Sequence, residues 1–266
     1  MANWMGWGIG AATVLLVIAF AAAPTAGASA SSSTPALFHS ITSLNSTNWA
    51  GYAALGAKGS VTDVKGSWIE PKISKTCPTA KNEYAAFWVG IDGVKSPTVE
   101  QTGTDSDCQG GSPTYYAWYE FYPNPSYLIS SVPISPGNVI SGEVKFSGGK
   151  FTVTLSDLTT GKSFSKSATV SSASRNSAEW VAEAPSSSSG VLPLAPFGSA
   201  QFGADHSNVT GTCAATISGS THLVGAFGSL DKITMVNNAG TAVKASVSAV
   251  SSDKSSFTVK WLRAGP

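Results

Sequence analysis

Along most of this chain polar and apolar residues alternate with a period of two, in short runs broken by Gly, Ser, Asn and Asp. Side chains two apart share one face of a strand, so this alternation predicts strands rather than helices. The runs fall at 48–54, 65–70, 85–92, 98–102, 115–122, 139–146 and 151–157, then at 163–170, 178–182, 199–202, 233–237, 245–251 and 257–262. Ser147-Gly148-Gly149-Lys150, Thr159-Thr160-Gly161-Lys162 and Ser252-Asp253-Lys254 read as hairpin connections between them. Leu/Glu/Lys/Arg-rich stretches at helical spacing are missing. Many short strands joined by polar turns predict an all-β domain, a two-sheet antiparallel β-sandwich.

The same period shows which residues share a face. Tyr116, Trp118, Glu120 and Tyr122 fall together, as do Glu179, Val181 and Glu183, and, if the strand at 98–102 continues that far, Val99, Gln101, Gly103 and Asp105. Trp88 and Asp92 lie on one side with Gly90 between them. Four segments therefore each set a polar group beside aromatic or small neighbours. All seven tyrosines lie between Tyr52 and Tyr127, and Trp49, Trp68, Trp88 and Trp118 lie in the same region. Such aromatics either line a groove for an extended polymer or fill a sandwich core. Carboxylates among them need a reason, because taking a charge out of water is costly.

Composition narrows the choice. Charged residues make up 12% of the 266, with a formal net charge of +1. No Lys/Arg stripe is present to neutralise phosphates, so nucleic acid is not an expected partner. Residues 1–57 hold no Lys, Arg, Asp or Glu, and the 8–23 stretch is continuously apolar or small before Pro24 and Ala28-Ser29-Ala30. That shape predicts a secretory signal over 1–30, with an uncleaved membrane anchor as the competing reading. Residues 31–46, rich in Ser and Thr, read as a short propeptide or linker, and 47–266 as the folded domain. Either way the domain is expected outside the cytoplasm, secreted or anchored. There, two of the three cysteines are expected to pair; Cys77 and Cys108, flanking one strand-rich block, are the preferred pair, leaving Cys213 buried. His39, His206 and His222 lack ligand spacing with the cysteines, so no metal is expected.

Nucleophile motifs and phosphate loops are missing, which leaves Asp92, Gln101, Asp105, Glu120, Glu179 and Glu183 as the polar candidates. Two schemes could use them. A glycosidase pair needs two carboxylates across a bond. Glu179 and Glu183 on one strand would stand about 13 Å apart, so only Glu120 with Glu183 could serve, if their strands are neighbours. Alternatively one glutamate activates water while an amide steadies the oxyanion.

Seven blocks in order favour the second scheme: Asn48-Trp49-Ala50-Gly51-Tyr52, Phe87-Trp88-Val89-Gly90-Ile91-Asp92-Gly93, Glu100-Gln101-Thr102-Gly103, the 115–123 aromatic run, Leu158-Thr159-Thr160-Gly161-Lys162, Ala178-Glu179-Trp180-Val181-Ala182-Glu183 and Phe197-Gly198-Ser199. In these the chain resembles the glutamic peptidases, the eqolisins of peptidase family G1. The resemblance implies a concanavalin A-like or jelly-roll sandwich with a concave substrate groove, and a secreted, monomeric acid endopeptidase acting on polypeptides without a cofactor. It implies Glu183 as general base and Gln101 as water-orienting and oxyanion-binding amide. Asp92, Asp105 and Glu120 would be supporting acids around the cleft, and Trp49, Trp88 and Trp118 groove residues. Tyr116 departs from the fungal pattern, which usually has Asp there. The alternative reading is a carbohydrate-active or carbohydrate-binding sandwich using the same aromatic face.

Overall fold

A computed structural model describes residues 40–203 and 212–265. The expected signal at 1–30, residues 31–39, His39 and His206 lie outside the described residues. The chain forms β1 (Ser40–Ser46), β2 (Trp49–Leu55), β3 (Val61–Ile69), β4 (Ala86–Ile91), β5 (Val99–Gln109) and β6 (Ser112–Tyr122). It continues through β7 (Tyr127–Leu128), β8 (Val139–Ser147), β9 (Lys150–Asp157), β10 (Lys162–Ala168), β11 (Ser177–Glu183), β12 (Ser186–Ser187) and β13 (Gly190–Val191). Then come β14 (Ser199–Phe202), β15 (Ala214–Ile217), β16 (Ser220–Leu223), β17 (Ser229–Val236), β18 (Val243–Val247) and β19 (Phe257–Trp261).

Pairings arrange these in two layers. One runs β7-β6-β5-β4-β11-β2-β17-β1. The other runs β10-β9-β8-β3, and β3 then pairs with β15 and, at one residue pair, with β14. Strand β18 pairs with both β17 and β19, and β19 with β14, so the layers join at that end. Every ladder between these strands is antiparallel except β1 with β17. The β8–β9 hairpin turns at Gly148 and Gly149, both at positive φ, the backbone a tight two-residue hairpin demands.

Within the 31–46 stretch read as a short propeptide or linker, 40–46 forms the strand β1, paired along its length with β17. Its Ser/Thr composition carries no alternation, because an edge strand needs backbone partners more than an apolar face.

The sandwich core takes alternate residues from both layers. Phe87, Val89 and Ile91 of β4, Ala178, Trp180 and Ala182 of β11, and Tyr52 of β2 meet Trp68, Ile140, Val144, Phe151 and Val153. Indoles also bond across the gap: Trp180 Nε1 donates to the Lys65 carbonyl at 2.6 Å, and Trp68 Nε1 to Thr104 Oγ1 at 2.8 Å. Truncating such a buried aromatic typically costs about 3–5 kcal/mol. The expected disulfide is present: Cys77 and Cys108 are bonded with Cα atoms 5.2 Å apart, and Cys213 is buried.

Candidate active site

The opposite face of β2, β4, β5, β6 and β11 carries a second buried cluster, formed by Trp49, Ala53, Ala86, Trp88, Val99, Trp118 and Val181. Alternation sends Glu183, Gln101, Asp105 and Glu120 to this side. Register places them. Glu183 on β11 lies opposite Ala86 of β4 and Trp49 of β2; Gln101 on β5 lies opposite Gly90 of β4 and Glu120 of β6. β4 thus stands between the strand of the carboxyl and the strand of the amide, with Trp88 pointing from it.

Space for that indole comes from glycines. A Cβ on Gly103 would sit 2.2 Å from the Phe87 carbonyl oxygen and 2.6 Å from Trp88 Cβ; one on Gly90 would meet Trp88 Cζ3 at 2.9 Å. Trp49 packs edge-on against Trp88, ring centroids 5.0 Å apart. Trp88 and Trp118 are fully buried, so they form the floor of the site rather than exposed walls.

Glu183 takes one donor on each oxygen: Asn48 Nδ2 at 3.1 Å on Oε1 and Trp88 Nε1 at 2.8 Å on Oε2. Burial pushes its carboxyl up to about 7, against the pull of the donors Trp88, Trp49 and Asn48, which favour the ionised form. Gln101 Nε2 donates to Glu120 Oε2 at 2.6 Å. Gln101 Oε1 and Glu120 Oε1 are buried without a protein partner, so an acceptor remains on the amide. Burial raises Glu120 to about 8, and the nearby Glu183 charge adds to the rise. Glu120 therefore carries its proton while Glu183 titrates.

The remaining candidates separate. Asp105 accepts Trp118 Nε1 at 2.6 Å and the Tyr116 hydroxyl at 2.8 Å, and the same hydroxyl lies 2.8 Å from Asp107. One phenolic proton cannot serve both acids. Burial and the neighbouring Asp107 hold Asp105 well above the usual carboxylate range. Asp92 accepts the backbone N–H groups of Arg175 at 2.7 Å and Asn176 at 3.0 Å, tying the segment before β11 to the end of β4. Glu179 shares the face of Glu183 but is completely buried, with Ser177 and the Val94 backbone beside its carboxyl. Burial holds it well above the usual range. Glu120 and Glu183 do not sit on adjacent strands, since β5 and β4 lie between β6 and β11. The condition for the glycosidase pair is not met.

Sequence reading missed Asn48 as a site residue, and also Asp107, Glu70 and Glu100. Asp107 could have been found, being two residues beyond Asp105 on the same face. Glu70 accepts Ser106 Oγ at 2.7 Å and Thr104 Oγ1, and burial raises it to about 8. Burial and the Asp92 charge push Glu100 up to about 9. No group of His, Cys, Asp and Glu among the described residues is arranged to hold a metal ion.

Fold and site together define an all-β sandwich protein with a carboxyl and a primary amide brought to one face of a single sheet. The model of the Peptidase A4 family matches residues 47–261, and the chain belongs to that family. It is 33% identical over 179 residues to Aspergillopepsin-2 of Aspergillus niger, covering 59% of this chain and 62% of that protein, less than two thirds of its length. Its fold is similar to that of scytalido-glutamic peptidase crystallised with a peptide-based transition state analog (TM-score 0.65, 25% identity, 81% of this chain and 98% of the other). It is similar also to aspergilloglutamic peptidase from Aspergillus niger (TM-score 0.57, 30% identity, 68% and 99%).

Proposed function

We propose that the protein is an exported endopeptidase in which Glu183 activates water and Gln101 stabilises the oxyanion. The observation that carries this reading is the shared face: Glu183 and Gln101 flank β4 in a buried site, Glu183 held by a donor on each oxygen and Gln101 by one N–H bond to Glu120. Family membership supports it, as does the transition state analog bound by a structural relative.

The chemistry balances without a further group. The Glu183 carboxylate takes a proton from water as the water oxygen attacks the scissile carbonyl carbon. The carbonyl π electrons move to oxygen, and the developing charge meets an N–H of Gln101. One amide hydrogen is committed to Glu120, which leaves the other for this role. Collapse breaks the C–N bond, and Glu183 returns its proton to the leaving nitrogen. The products are a carboxylic acid and an amine, and Glu183 is again a carboxylate.

The family resemblance implies cleavage at acid pH. The surroundings of Glu183 favour a higher range, because a base raised to about 7 is almost wholly protonated at pH 3–4. Ionisation of Glu120, raised to about 8, would then set a negative charge beside the amide that must face an oxyanion. The position of the acid limb of the pH profile decides between the two. Export rests on the apolar stretch at 8–23 and the Ala28-Ser29-Ala30 pattern.

The test is cleavage of a denatured protein from pH 2 to 9 by the native chain, Glu183→Gln and Gln101→Ala. Loss in both variants with unchanged melting is expected; full activity in either refutes the dyad. An acid limb near pH 3 would refute the raised carboxyl alone and leave the dyad standing.

A further inference from the structure

Glu183 is held partly from outside the strands that neighbour it. Asn48, whose Nδ2 lies 3.1 Å from Glu183 Oε1, sits between β1 and β2. Ser46, the last residue of β1, donates its hydroxyl to Asn48 Oδ1 at 3.0 Å. Ser46 Oγ in turn accepts the backbone N–H of Asn48 at 3.3 Å and of Trp49 at 3.1 Å. We propose that Ser46 and Asn48 are positioning residues for Glu183, Ser46 orienting the Asn48 amide and Asn48 holding one carboxylate oxygen, so that β1 is part of the working enzyme rather than a removable leader. The proposal rests on Glu183 being the base.

An asparagine amide can be turned over at little steric cost, which would set its oxygen against the carboxylate. Ser46 prevents this. A hydroxyl has one hydrogen and two acceptor positions, and two backbone N–H groups already fill the acceptor positions. Only the hydrogen is left for Asn48, so it must meet Oδ1, and Nδ2 is left to face Glu183. Both side chains are buried, so water does not compete.

The segment is fixed from three sides. The Asn48 carbonyl accepts the N–H of Ala184, the residue after Glu183, at 2.8 Å. Thr47 offers its carbonyl to Lys244 Nζ at 3.2 Å, a buried ammonium on β18 whose pKa burial lowers to about 8. Upstream, β1 is zippered to β17 from Ser40 opposite Ser229 to Ser46 opposite Met235. Cleavage after Ser46 would release the orienting hydroxyl. Around Glu183 the other elements contribute Trp88 from β4 and Trp49 from β2, both neutral, and Glu120 from β6, the nearby titratable group, which is raised to about 8.

Four variants in the full chain test the relay: Asn48→Ala, Ser46→Ala, both together, and Ser46→Thr. Asn48→Ala should lower kcat about tenfold or more with KM within about twofold, since the base is misplaced and substrate contacts are not. Its acid limb should move up by about one pH unit, because a donor to the ionised form is lost. Ser46→Ala should move both readouts the same way by less, and Ser46→Thr, which keeps the hydroxyl, should restore them. The double variant should match Asn48→Ala, because Ser46 acts through Asn48. The active secreted protein should begin upstream of Ser46.

An unchanged kcat and limb in Asn48→Ala, multiplying effects in the double variant, or an active protein beginning at Thr47 or later overturns the relay. If Asn48→Ala fails to fold, the Ser46→Ala and Ser46→Thr pair decides by the same readouts. Activity retained in Glu183→Gln would sink the reading of the base itself. A dead Glu183→Gln beside a fully active Asn48→Ala sinks only the relay.

Discussion

Trp88 Nε1 stands 2.8 Å from Glu183 Oε2, a bond between neighbouring strands that joins the floor of the site to its carboxyl. The indole favours the ionised form, opposing the burial that favours the acid. Trp88→Phe keeps a ring in the slot beside Gly90 and Gly103 but removes the donor. Its acid limb of kcat/KM should rise by about one pH unit, with a rate loss of about tenfold at pH 6. An unmoved limb would show that this bond does not set the base.

Glu120 offers a separate handle on the alkaline side. It is raised to about 8 by burial and by the Glu183 charge, so it stays neutral while Glu183 ionises. Glu120→Gln removes that second titration and keeps a side chain able to bond Gln101. The acid limb should stay where it is, while the fall in activity near pH 8 should flatten. A limb unchanged on both sides would assign the alkaline fall to another group.

Stability should follow the buried acids. Glu70, at about 8, and Glu100, at about 9, both lie above their ordinary values when folded. The unfolded chain releases these protons first, so their contribution is complete below about pH 4.5 and is lost as pH rises through 8 to 9. A shift of this size is worth several kcal/mol per group, comparable with the 5–15 kcal/mol that holds a typical domain together. Melting temperature should therefore be highest below about pH 4.5, fall as pH rises from there, and level off above 8 to 9. Glu100→Gln should recover several degrees at pH 8 and little at pH 4. Equal gains at both would show that ionisation is not the cause.

Gly103 tests the packing behind Trp88. An added Cβ would lie 2.2 Å from the Phe87 carbonyl oxygen, and backbone cannot yield as a side-chain tip can. Gly103→Ala should cost about 1–3 kcal/mol in chemical denaturation, as overpacking does. Ala at Gly148, which meets nothing within 4 Å, is the control for the steric part, its positive φ still adding some strain.

The faces of the strands were legible because alternation is local. Tyr116, Trp118 and Glu120 declare their common side within five residues. The extent of β5 was not: the expected run stops at 102, yet Thr104, Asp105, Ser106 and Asp107 are all buried strand. Their partners, Trp68, Glu70, Trp118 and Tyr116, come from other strands, and no local pattern announces them. Gln101 and Glu183 were found through motif order, whereas Asn48 stood in plain sight in the first motif without a role. Its role depends on β1, whose Ser/Thr sequence carries no strand signal. The raised carboxyl of Glu183 was equally hidden, because burial belongs to the fold and not to the motif.

Asp92 acts at a distance from the site. Strands β4 and β11 pair from Ile91 opposite Ala178 to Ala86 opposite Glu183, and Asp92 clamps the Arg175 and Asn176 amides just beyond the first of these rungs. A slip of two residues would keep every side chain on its own face, so alternation alone does not forbid it. Such a slip would carry Glu183 about 7 Å along the strand, away from Trp88 and Asn48. The clamp counts the rungs: a carboxylate at one end of the ladder decides which residue arrives at the other.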